Sequence, residues 1–254
     1  MIRIDRNDAT APDALQTNGA QDLARIRELV QRGELLSKSF NKGIYGSDAV
    51  KDALWHMQHK KCCYCEHKLE KKWSTVEHFR PKTTADRGNG TVDTGYWWLA
   101  YDFSNLYFAC QNCNNPKSAR FPLVSGTLGL QPEQDPSTHP ESPLIVDPGA
   151  EQPERHLTFE WISGRGFQIA PLNGSERGRA TIDAAALDRD ELMEMRRDHY
   201  KDNILPVIKR YRKAVQDGDQ ERQGEALADA RRMTQPEHEY ALLAKVAFKR
   251  WRLL

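Results

Sequence analysis

The sequence lacks an apolar run of the roughly 20 residues that a membrane-spanning helix requires. It also lacks an excess of charge of either sign, with a formal net charge of +1, so a uniformly basic nucleic-acid binder is excluded and any basic surface must be local. The first twenty residues lack the apolar core of a secretory signal. We therefore expect a cytoplasmic protein, with no membrane contact, in which thiols stay reduced.

Internal repeats and low-complexity tracts are also missing, and the composition is that of a polar globular protein. The chain has 254 residues, of which 39% are hydrophobic and 29% charged. That length suits one large domain or a small domain with additions. We divide it into four regions. An N-terminal helical region covers 1–59 and a cysteine-bearing core covers 60–123. An extension of irregular structure and short strands covers 124–180, and a C-terminal helical region covers 181–254.

The N-terminal region is predicted to contain two helices. Residues 1–20 are polar and we expect them to be flexible, apart from a possible short strand at 2–4. Apolar spacing predicts an amphipathic helix over 22–36. A second helix is predicted over 47–59, with Ser47 as its N-cap.

The segment that follows the core is rich in proline, glycine and serine. Its apolar pieces at 144–146, 157–159 and 167–169 predict short strands. From Asp188 onwards the apolar spacing predicts helices.

Two details are expected within these C-terminal helices. Pro206 should kink or break one of them, because proline removes a backbone hydrogen bond. The residues Thr234-Gln-Pro-Glu237 form a capping-box pattern, which predicts the start of the last helix.

The five cysteines are few but clustered. Cys62 and Cys65 form one Cys-x-x-Cys pair, and Cys110 and Cys113 form another. Two such pairs in a reduced compartment predict a structural zinc ion on four thiolates, ahead of buried free thiols or disulfides. Cys63 is left over as a small buried side chain, and His67 is a weaker alternative ligand.

Between the two cysteine pairs lie several groups that could carry chemistry. The segment Val76-Glu-His-Phe-Arg-Pro-Lys82 comes first, then a tryptophan-rich stretch ending at Asn105, and finally Asn114 directly after the second pair. A lone Glu-His pair in a polar loop is usually solvated surface. Here it lies between two predicted metal knuckles, and this context favours a catalytic site.

These motifs resemble the HNH endonucleases, whose fold is the ββα-metal unit. The resemblance is closest to the HNH proteins of Septu-type and retron-associated anti-phage systems, through "CxYCE", "EHFRPK", "SNL", "CxxCN" and "FPL" in that order. Weaker similarity continues through "PLIVDP", "ERHLTF" and "RGRATI", so that it covers roughly residues 45–200. It implies an α+β protein with a ββα-metal core, a four-cysteine zinc site, flanking helices and a mainly helical C-terminal region.

Phosphodiester hydrolysis needs an activated water and a Lewis acid at the phosphate, and the residues suit both tasks. His78 is the expected general base, because the pKa of imidazole lies near neutrality. Glu77 and Asn114 offer oxygen ligands to a catalytic magnesium or manganese ion. The family often has histidine where this chain has Asn114. Asn105 resembles the family asparagine that holds the loop of the catalytic histidine.

Basic and aromatic residues near this site could contact nucleic acid. Arg80, Lys82 and Lys117 are expected to hold the phosphate backbone. For Trp97 and Trp98 we favour core packing over base stacking. For the lysines of the tract 60–72, a phosphate-tracking patch and a solvated face remain equally open.

The sequence therefore predicts a metal-dependent HNH endonuclease of an anti-phage system, with DNA as the favoured substrate. The resemblance implies an ATPase partner. One alternative is an RNase that uses the same site on a structured RNA such as tRNA. Others are a zinc-ribbon nucleic-acid-binding module without chemistry and a purely structural zinc protein.

Overall fold

The structure is a computed structural model that describes residues 1–254, and it confirms the predicted α+β class. The strands are β1 Ser74–His78, β2 Thr84–Asp86, β3 Val92–Thr94, β4 Leu106–Cys110, β5 Leu157–Ile162 and β6 Gly166–Pro171. The helices are α1 Asp13–Gln31, α2 Lys42–Tyr45, α3 Asp48–Met57, α4 Gln111–Lys117, α5 Glu176–Ala185, α6 Asp190–His199, α7 Leu205–Asp217, α8 Gln220–Met233 and α9 Ala241–Arg250. None of these helices has the length and apolarity that a membrane crossing requires.

Two strands and one helix form the centre of the molecule. β1 and β4 pair antiparallel, with Ser74 opposite Cys110 and His78 opposite Leu106. α4 begins at the residue after β4, so the unit has the order strand, strand, helix. Four of the five residues of β4 are buried, because this strand is covered on both faces. The other strands form two separate two-stranded sheets, β2–β3 and β5–β6.

The helix predicted over 47–59 is confirmed as α3, and it packs against β4. The Ser47 side chain caps it by accepting a hydrogen bond from the Val50 amide. Val50, Leu54 and Met57 are all buried on one face of this helix. The following residue, Gln58, brings the end of the helix against the central sheet.

Gln58 completes the hydrogen bonding of β4 with its side chain. Its amide oxygen accepts from the Phe108 amide at 2.8 Å, and its Nε2 donates to the Phe108 carbonyl at 2.8 Å and to the Lys61 carbonyl at 3.0 Å. The residue is only 2% exposed. A glutamine therefore acts here like a neighbouring strand, and it fixes the segment before the first cysteine pair onto β4.

The predictions for the N-terminal region were partly wrong. Met1, which was expected to be flexible, is buried in the core together with Ile2 and Ile4, because their side chains cover the central unit. They form no strand, although the Ile4 amide donates to the Pro148 carbonyl at 2.8 Å. The first helix begins at Asp13, well before the expected residue 22.

Downstream of the core, the strands predicted at 157–159 and 167–169 are confirmed as β5 and β6, which pair with each other. The prediction of a strand at 144–146 is wrong. The amide of Leu144 instead donates to the Pro122 carbonyl in an irregular segment, and Ile145 and Val146 are fully buried. Burial alone therefore explains the apolar character of this piece.

Two predictions for the C-terminal helices need correction. Pro206 does not break its helix, because it lies in the first turn of α7, directly after a π-helical turn, Tyr200–Ile204, and the first turn of a helix tolerates a residue without an N–H group. Thr234 does not open the last helix. It caps the C-terminus of α8, and α9 starts at Ala241 after a turn in which Tyr240 has a positive φ.

One continuous hydrophobic cluster includes residues from all four predicted regions. Ile26, Phe108, Phe167 and Phe248 represent the four regions within this cluster. The extension and the C-terminal helices thus pack onto the central unit. The four boundaries themselves stay a prediction.

Replacing Gln58 with leucine should lower the free energy of unfolding by about 2–3 kcal/mol, because buried groups of Phe108 and Lys61 lose their partners. Chemical denaturation of the metal-loaded chain measures this. The control is Gln16→Leu at an exposed position of α1, which should change stability by less than about 0.5 kcal/mol. Equal effects of the two substitutions would contradict the role of Gln58.

Candidate functional site

Four cysteines come together as the sequence predicts. The sulfur atoms of Cys62, Cys65, Cys110 and Cys113 all lie within 4.8 Å of one another. The Sγ atoms of Cys65 and Cys110 are 3.8 Å apart. A tetrahedral zinc ion with zinc–sulfur bonds of about 2.3 Å requires sulfur–sulfur separations of about 3.8 Å. The cluster therefore has the donor set and spacing that suit a metal ion such as zinc.

Local backbone geometry presents the four sulfurs. The first pair lies in a tight turn in which the Glu66 amide donates to the Cys62 carbonyl and Glu66 has a φ of 66°. Cys110 ends β4, and Cys113 lies in the first turn of α4. The two pairs are far apart in sequence and meet because the hairpin returns β4 alongside β1.

The other candidates for ligation lie outside this cluster. Cys63 is buried, and its amide donates to the Phe108 carbonyl, which fits the expected idle thiol. His67 has its Nδ1 2.6 Å from an oxygen of Glu239, so it pairs with a carboxylate from the C-terminal region. Burial acts to raise the pKa of the Cys62 thiol, but hydrogen bonds from Cys110 and its neighbours hold it well below its usual range. Hydrogen bonds with the other sulfurs hold the pKa values of Cys65 and Cys113 well above their usual range, so the thiolate is favoured at Cys62 and not at these two.

We expect one zinc ion per chain, measured by elemental analysis of the purified protein. Cys65→Ser and Cys113→Ser should each lose that ion, because each removes a thiolate ligand. The matched control is Cys63→Ser, which should keep it, since this neighbouring sulfur lies outside the cluster. Zinc retained by all three variants, or absent from the wild type, would contradict the assignment.

A polar cavity of about 370 Å³ opens beside β1 and α4. Its wall contains most of the residues that the sequence singles out for catalysis and also several small polar residues. The lining residues are Ser37, Val76, Glu77, His78, Pro81, Lys82, Thr83, Thr84, Asn114, Ser118 and Ala119. Glu77 and His78 are neighbours in sequence and can share one cavity because β1 ends at His78.

Glu77 is a buried carboxylate with strong partners. Its Oε1 accepts from Lys117 Nζ at 2.8 Å and from the Tyr64 hydroxyl at 3.1 Å. Burial raises the pKa of Glu77, and the positive charge of Lys117 opposes that rise. Both partners contact the same oxygen, so Oε2 is left for another ligand.

His78 is held in one tautomer. Its Nε2 lies 2.9 Å from the Ala100 carbonyl, which can only accept, so Nε2 carries the proton and Nδ1 keeps its lone pair. The ring of Tyr45 packs edge-on against the imidazole, with ring centres 4.8 Å apart. Burial holds the pKa of His78 well below its usual range, and the charge of Lys82 acts in the same direction. The imidazole is therefore neutral at pH 7.

Asn105 connects the loops around His78. Its Oδ1 accepts from the Arg80 amide at 2.8 Å, and its Nδ2 donates to the carbonyls of Arg80 and Leu99 at 3.0 and 3.1 Å. Leu99 directly precedes Ala100, whose carbonyl accepts the hydrogen bond from His78 Nε2. These contacts are those of a residue that positions the imidazole, and Asn105 itself does not line the cavity.

Asn114 lies in α4 and faces the same cavity as Glu77. Its Nδ2 donates to the Thr75 hydroxyl at 2.6 Å, which orients the amide and leaves Oδ1 as the available acceptor. A carboxylate oxygen of Glu77 and an amide oxygen of Asn114 are the kinds of ligand that magnesium and manganese prefer. The donor set fits a hard divalent ion.

Two of the three cations expected to bind phosphate have other partners. Lys117 is fully buried, and its ammonium donates to the carbonyls of His78 and Phe79 at 2.9 and 2.7 Å besides pairing with Glu77. Arg80 pairs through Nε with the buried carboxylate of Glu141 at 2.8 Å. Contact with nucleic acid does not fit the fully buried ammonium of Lys117, and for Arg80 it stays a prediction.

Lys82 keeps the placement that a phosphate contact requires. It lines the cavity, and its ammonium makes no hydrogen bond or ion pair but lies 5.0 Å from the centre of the Tyr45 ring. Burial lowers the pKa of Lys82, while the charge of Glu77 opposes this. Among the three predicted cations, Lys82 alone is available to an anion in the cavity.

The tryptophans and the basic tract are also largely used in packing. Trp97 is buried, and Trp98 donates from Nε1 to the Gln134 carbonyl, as the core-packing alternative expects. Within the tract, Lys61 is buried beside Glu66, Lys71 pairs with Asp52 and Lys72 pairs with Glu70. Lys60 and Lys68 are exposed and make no ion pair, so the phosphate-tracking patch stays a prediction.

Sequence reasoning missed three residues: Tyr64, which contacts Glu77, Tyr45, which packs on His78, and Ser118, which lines the cavity. Tyr64 lies inside the first cysteine motif, where its position alone gave no sign of a contact with Glu77. Tyr45 comes from α2, far from the motifs. Ser118 follows Lys117 and has φ 40° and ψ −120°, a conformation that favours glycine, so its backbone is strained at the cavity wall.

Replacing Lys117 with methionine should lower the free energy of unfolding by about 3–5 kcal/mol, because Glu77 would stay buried without its counter-ion. Denaturant titration of the purified variants measures this. The control, Lys68→Met at an exposed position, should change stability by less than about 0.5 kcal/mol. If Lys117→Met unfolds at the wild-type denaturant concentration, the buried ion pair does not have this role.

Fold and site together define an α+β protein in which a cluster of four cysteines that could hold a metal ion lies next to a polar cavity. Comparison with known proteins relates the chain to Septu proteins. It is 32% identical over 168 residues to Septu protein PtuB of Bacillus mycoides strain KBAB4, covering 65% of this chain and 55% of that protein. It is 31% identical over 167 residues to Septu protein PtuB of Bacillus thuringiensis, covering 64% and 51%.

A third relative carries a different name. The chain is 28% identical over 150 residues to Septu protein PtuA of Bacillus mycoides strain KBAB4, covering 56% of this chain and 19% of that protein. The chain spans about half the length of the PtuB relatives it matches. No protein-family model and no solved structure matches it. The predicted relation to Septu-type proteins is thus confirmed, and membership of the HNH superfamily stays a prediction.

Proposed function

We propose that this protein is a metal-dependent endonuclease of the HNH type, which hydrolyses phosphodiester bonds in nucleic acid. The observation that carries the proposal is that Glu77, His78 and Asn114 line one cavity. This cavity combines a neutral imidazole, two oxygen donors and one available ammonium. Such a set suits hydrolysis of a phosphodiester, in which charge develops on the phosphate oxygens.

His78 acts as the general base in this proposal. The Ala100 carbonyl fixes the proton on Nε2, so Nδ1 can take a proton from a water molecule as that water attacks phosphorus. Asn105 positions the loops on both sides of the ring. A histidine held in this way needs no reorientation before it accepts the proton.

Glu77 and Asn114 would hold the catalytic magnesium or manganese ion, through Oε2 and Oδ1 respectively. When bound, the ion supplies a Lewis acid that polarises the phosphate. Lys117 keeps Glu77 ionised by pairing with Oε1, despite its burial. The carboxylate can therefore serve a cation without first losing a proton.

Lys82 would contact the substrate phosphate directly. Its ammonium lines the cavity without a carboxylate partner, and partial burial strengthens its attraction for an anion. Lys117 takes no part in this contact because its ammonium is fully buried against Glu77, and Arg80 does not line the cavity. Of the three cations that the sequence predicted to contact phosphate, the proposal therefore keeps Lys82 in the cavity.

We further propose that this activity belongs to an anti-phage defence system, in which the chain works with an ATPase partner and DNA is the favoured substrate. The similarity to proteins named Septu PtuB and Septu PtuA supports a place in a Septu-type system. Since the chain covers about half of its PtuB relatives, the role of the whole assembly is part of the proposal.

A nicking assay tests the chemistry. Supercoiled plasmid and total RNA are incubated with the zinc-loaded protein and magnesium or manganese, with and without a candidate ATPase partner. We expect divalent-ion-dependent cleavage of plasmid, and His78→Ala should reduce it by about 100-fold or more, because the general base is lost.

The matched control is His56→Ala, which removes an exposed histidine of α3 and should leave cleavage unchanged. Cleavage of RNA alone would assign the site to an RNase. Absence of cleavage in every arm, or equal cleavage by wild type and His78→Ala, would contradict the catalytic proposal and favour a zinc module without chemistry.

A further inference from the structure

The ammonium of Lys82 lies against aromatic rings and not against a carboxylate. Its Nζ is 5.0 Å from the ring centre of Tyr45 and 5.6 Å from the ring centre of Phe40. Both distances fall within the about 6 Å over which an aromatic face attracts a cation. Two rings from the N-terminal region therefore hold a charge that belongs to the loop after β1.

An aromatic ring holds a cation in a different way from a carboxylate. The ring attracts the cation through its quadrupole and leaves the net charge in place. Glu77 lines the same cavity, and its Oε1 already pairs with Lys117 at 2.8 Å. If Lys82 paired with the other oxygen, the cavity would lose both a free cation and an oxygen donor. The two rings prevent this loss, because they stabilise the ammonium and leave its charge available to an anion.

The ring of Tyr45 is itself fixed by contacts with two other rings. It packs edge-on against the imidazole of His78, with ring centres 4.8 Å apart, and lies 6.2 Å from the ring centre of Tyr101. Tyr101 directly follows Ala100, whose carbonyl accepts the hydrogen bond from His78 Nε2. The segment that positions the imidazole therefore also positions Tyr45.

Tyr101 is also the point where the N-terminal region docks onto the central unit. Its hydroxyl donates to Asp22 of α1 and accepts from the Asn41 amide at 2.9 Å. A Cβ atom at Gly19 would lie only 2.8 Å from the Tyr101 Cβ, so the backbone of α1 packs directly on this tyrosine. Asn41 is the N-cap of α2, and α2 ends at Tyr45. The docking of α1 and the placement of Tyr45 are thus connected.

We propose that the segment 37–45 completes the catalytic cavity, with Phe40 and Tyr45 holding the Lys82 ammonium where it binds one phosphate of a nucleic acid. Ser37 of the same segment lines the cavity as well. The site therefore needs the N-terminal region besides the central unit of two strands and one helix. The phosphate contact rests on the proposed function, whereas the placement of Lys82 against the two rings does not.

The first test locates the ammonium without nucleic acid and on the wild-type chain. The lysines of the full-length, zinc-loaded protein are methylated with isotope-labelled formaldehyde, which keeps their charge, and Lys82→Arg identifies the Lys82 signal in the NMR spectrum. We expect this signal upfield of those of exposed lysines, with cross-peaks to ring protons of Phe40 and Tyr45. A Lys82 signal without the shift and without these cross-peaks would overturn the proposal.

The second test measures binding of a short fluorescein-labelled DNA duplex at several salt concentrations, with calcium in place of magnesium. Lys82→Met should reduce the slope of log affinity against log salt concentration by about one, because one phosphate contact is lost. Tyr45→Leu should weaken binding about 3- to 10-fold, and Tyr45→Phe, which keeps the ring, should bind like wild type. An unchanged salt slope in Lys82→Met would rule out the phosphate contact.

A double substitution separates this role from a merely structural one. Adding Tyr45→Leu to Lys82→Met should weaken binding no further, because the ring acts through the ammonium. The control is Trp73→Leu, which removes an exposed ring 5.4 Å from the Lys72 ammonium and should leave binding unchanged.

Equal weakening by Tyr45→Leu with and without Lys82 would overturn the proposal. A wild-type protein that binds no duplex would instead contradict the proposed function, and the NMR experiment would still decide whether the two rings hold Lys82. The two failures are therefore distinguishable.

Discussion

The meeting of four sulfur atoms is the constraint on which the central unit depends. Each cysteine pair lies at one end of the segment that contains β1, the cavity loops and β4, so joining the pairs closes that segment into a unit. Closing a long loop removes many conformations from the unfolded chain, and a metal ion adds its binding free energy to folding. Arg189, directly before α6, contacts the same cluster, with its Nη1 3.5 Å from Cys113 Sγ.

A second buried charge shapes the cavity next to this cluster. The ammonium of Lys117 reaches from α4 to the end of β1, where it contacts Glu77 and the carbonyls of the next two residues. One side chain thus opposes the burial-driven rise in the pKa of Glu77 and also binds the carbonyl of His78, the proposed general base at the end of β1. Stability and proposed chemistry share this contact, because a carboxylate buried without a cation would become protonated instead of binding a metal ion.

Some features followed from short-range sequence patterns. The paired cysteine motifs predicted the cluster, because ligand spacing within each pair is a local property. Ser47 and the apolar spacing of α3 predicted that helix for the same reason. Other local patterns failed. The capping-box pattern at Thr234 predicted a helix start where α8 ends. The possible strand at 2–4 is absent, since nothing nearby in sequence shows that Met1, Ile2 and Ile4 pack onto the core.

The sequence by itself determined which residue types were available: four cysteines in two pairs, a Glu-His pair between them, and Asn105 and Asn114 further along the chain. Only the tertiary structure decided which charges are free. Lys82 and Lys117 look equivalent in sequence, yet one faces the cavity and the other is buried against Glu77. Arg189 gave no local signal of its contact with Cys113, because that sulfur atom lies far away in the chain. Electrostatic partners at such separations are fixed by packing, which no short motif encodes.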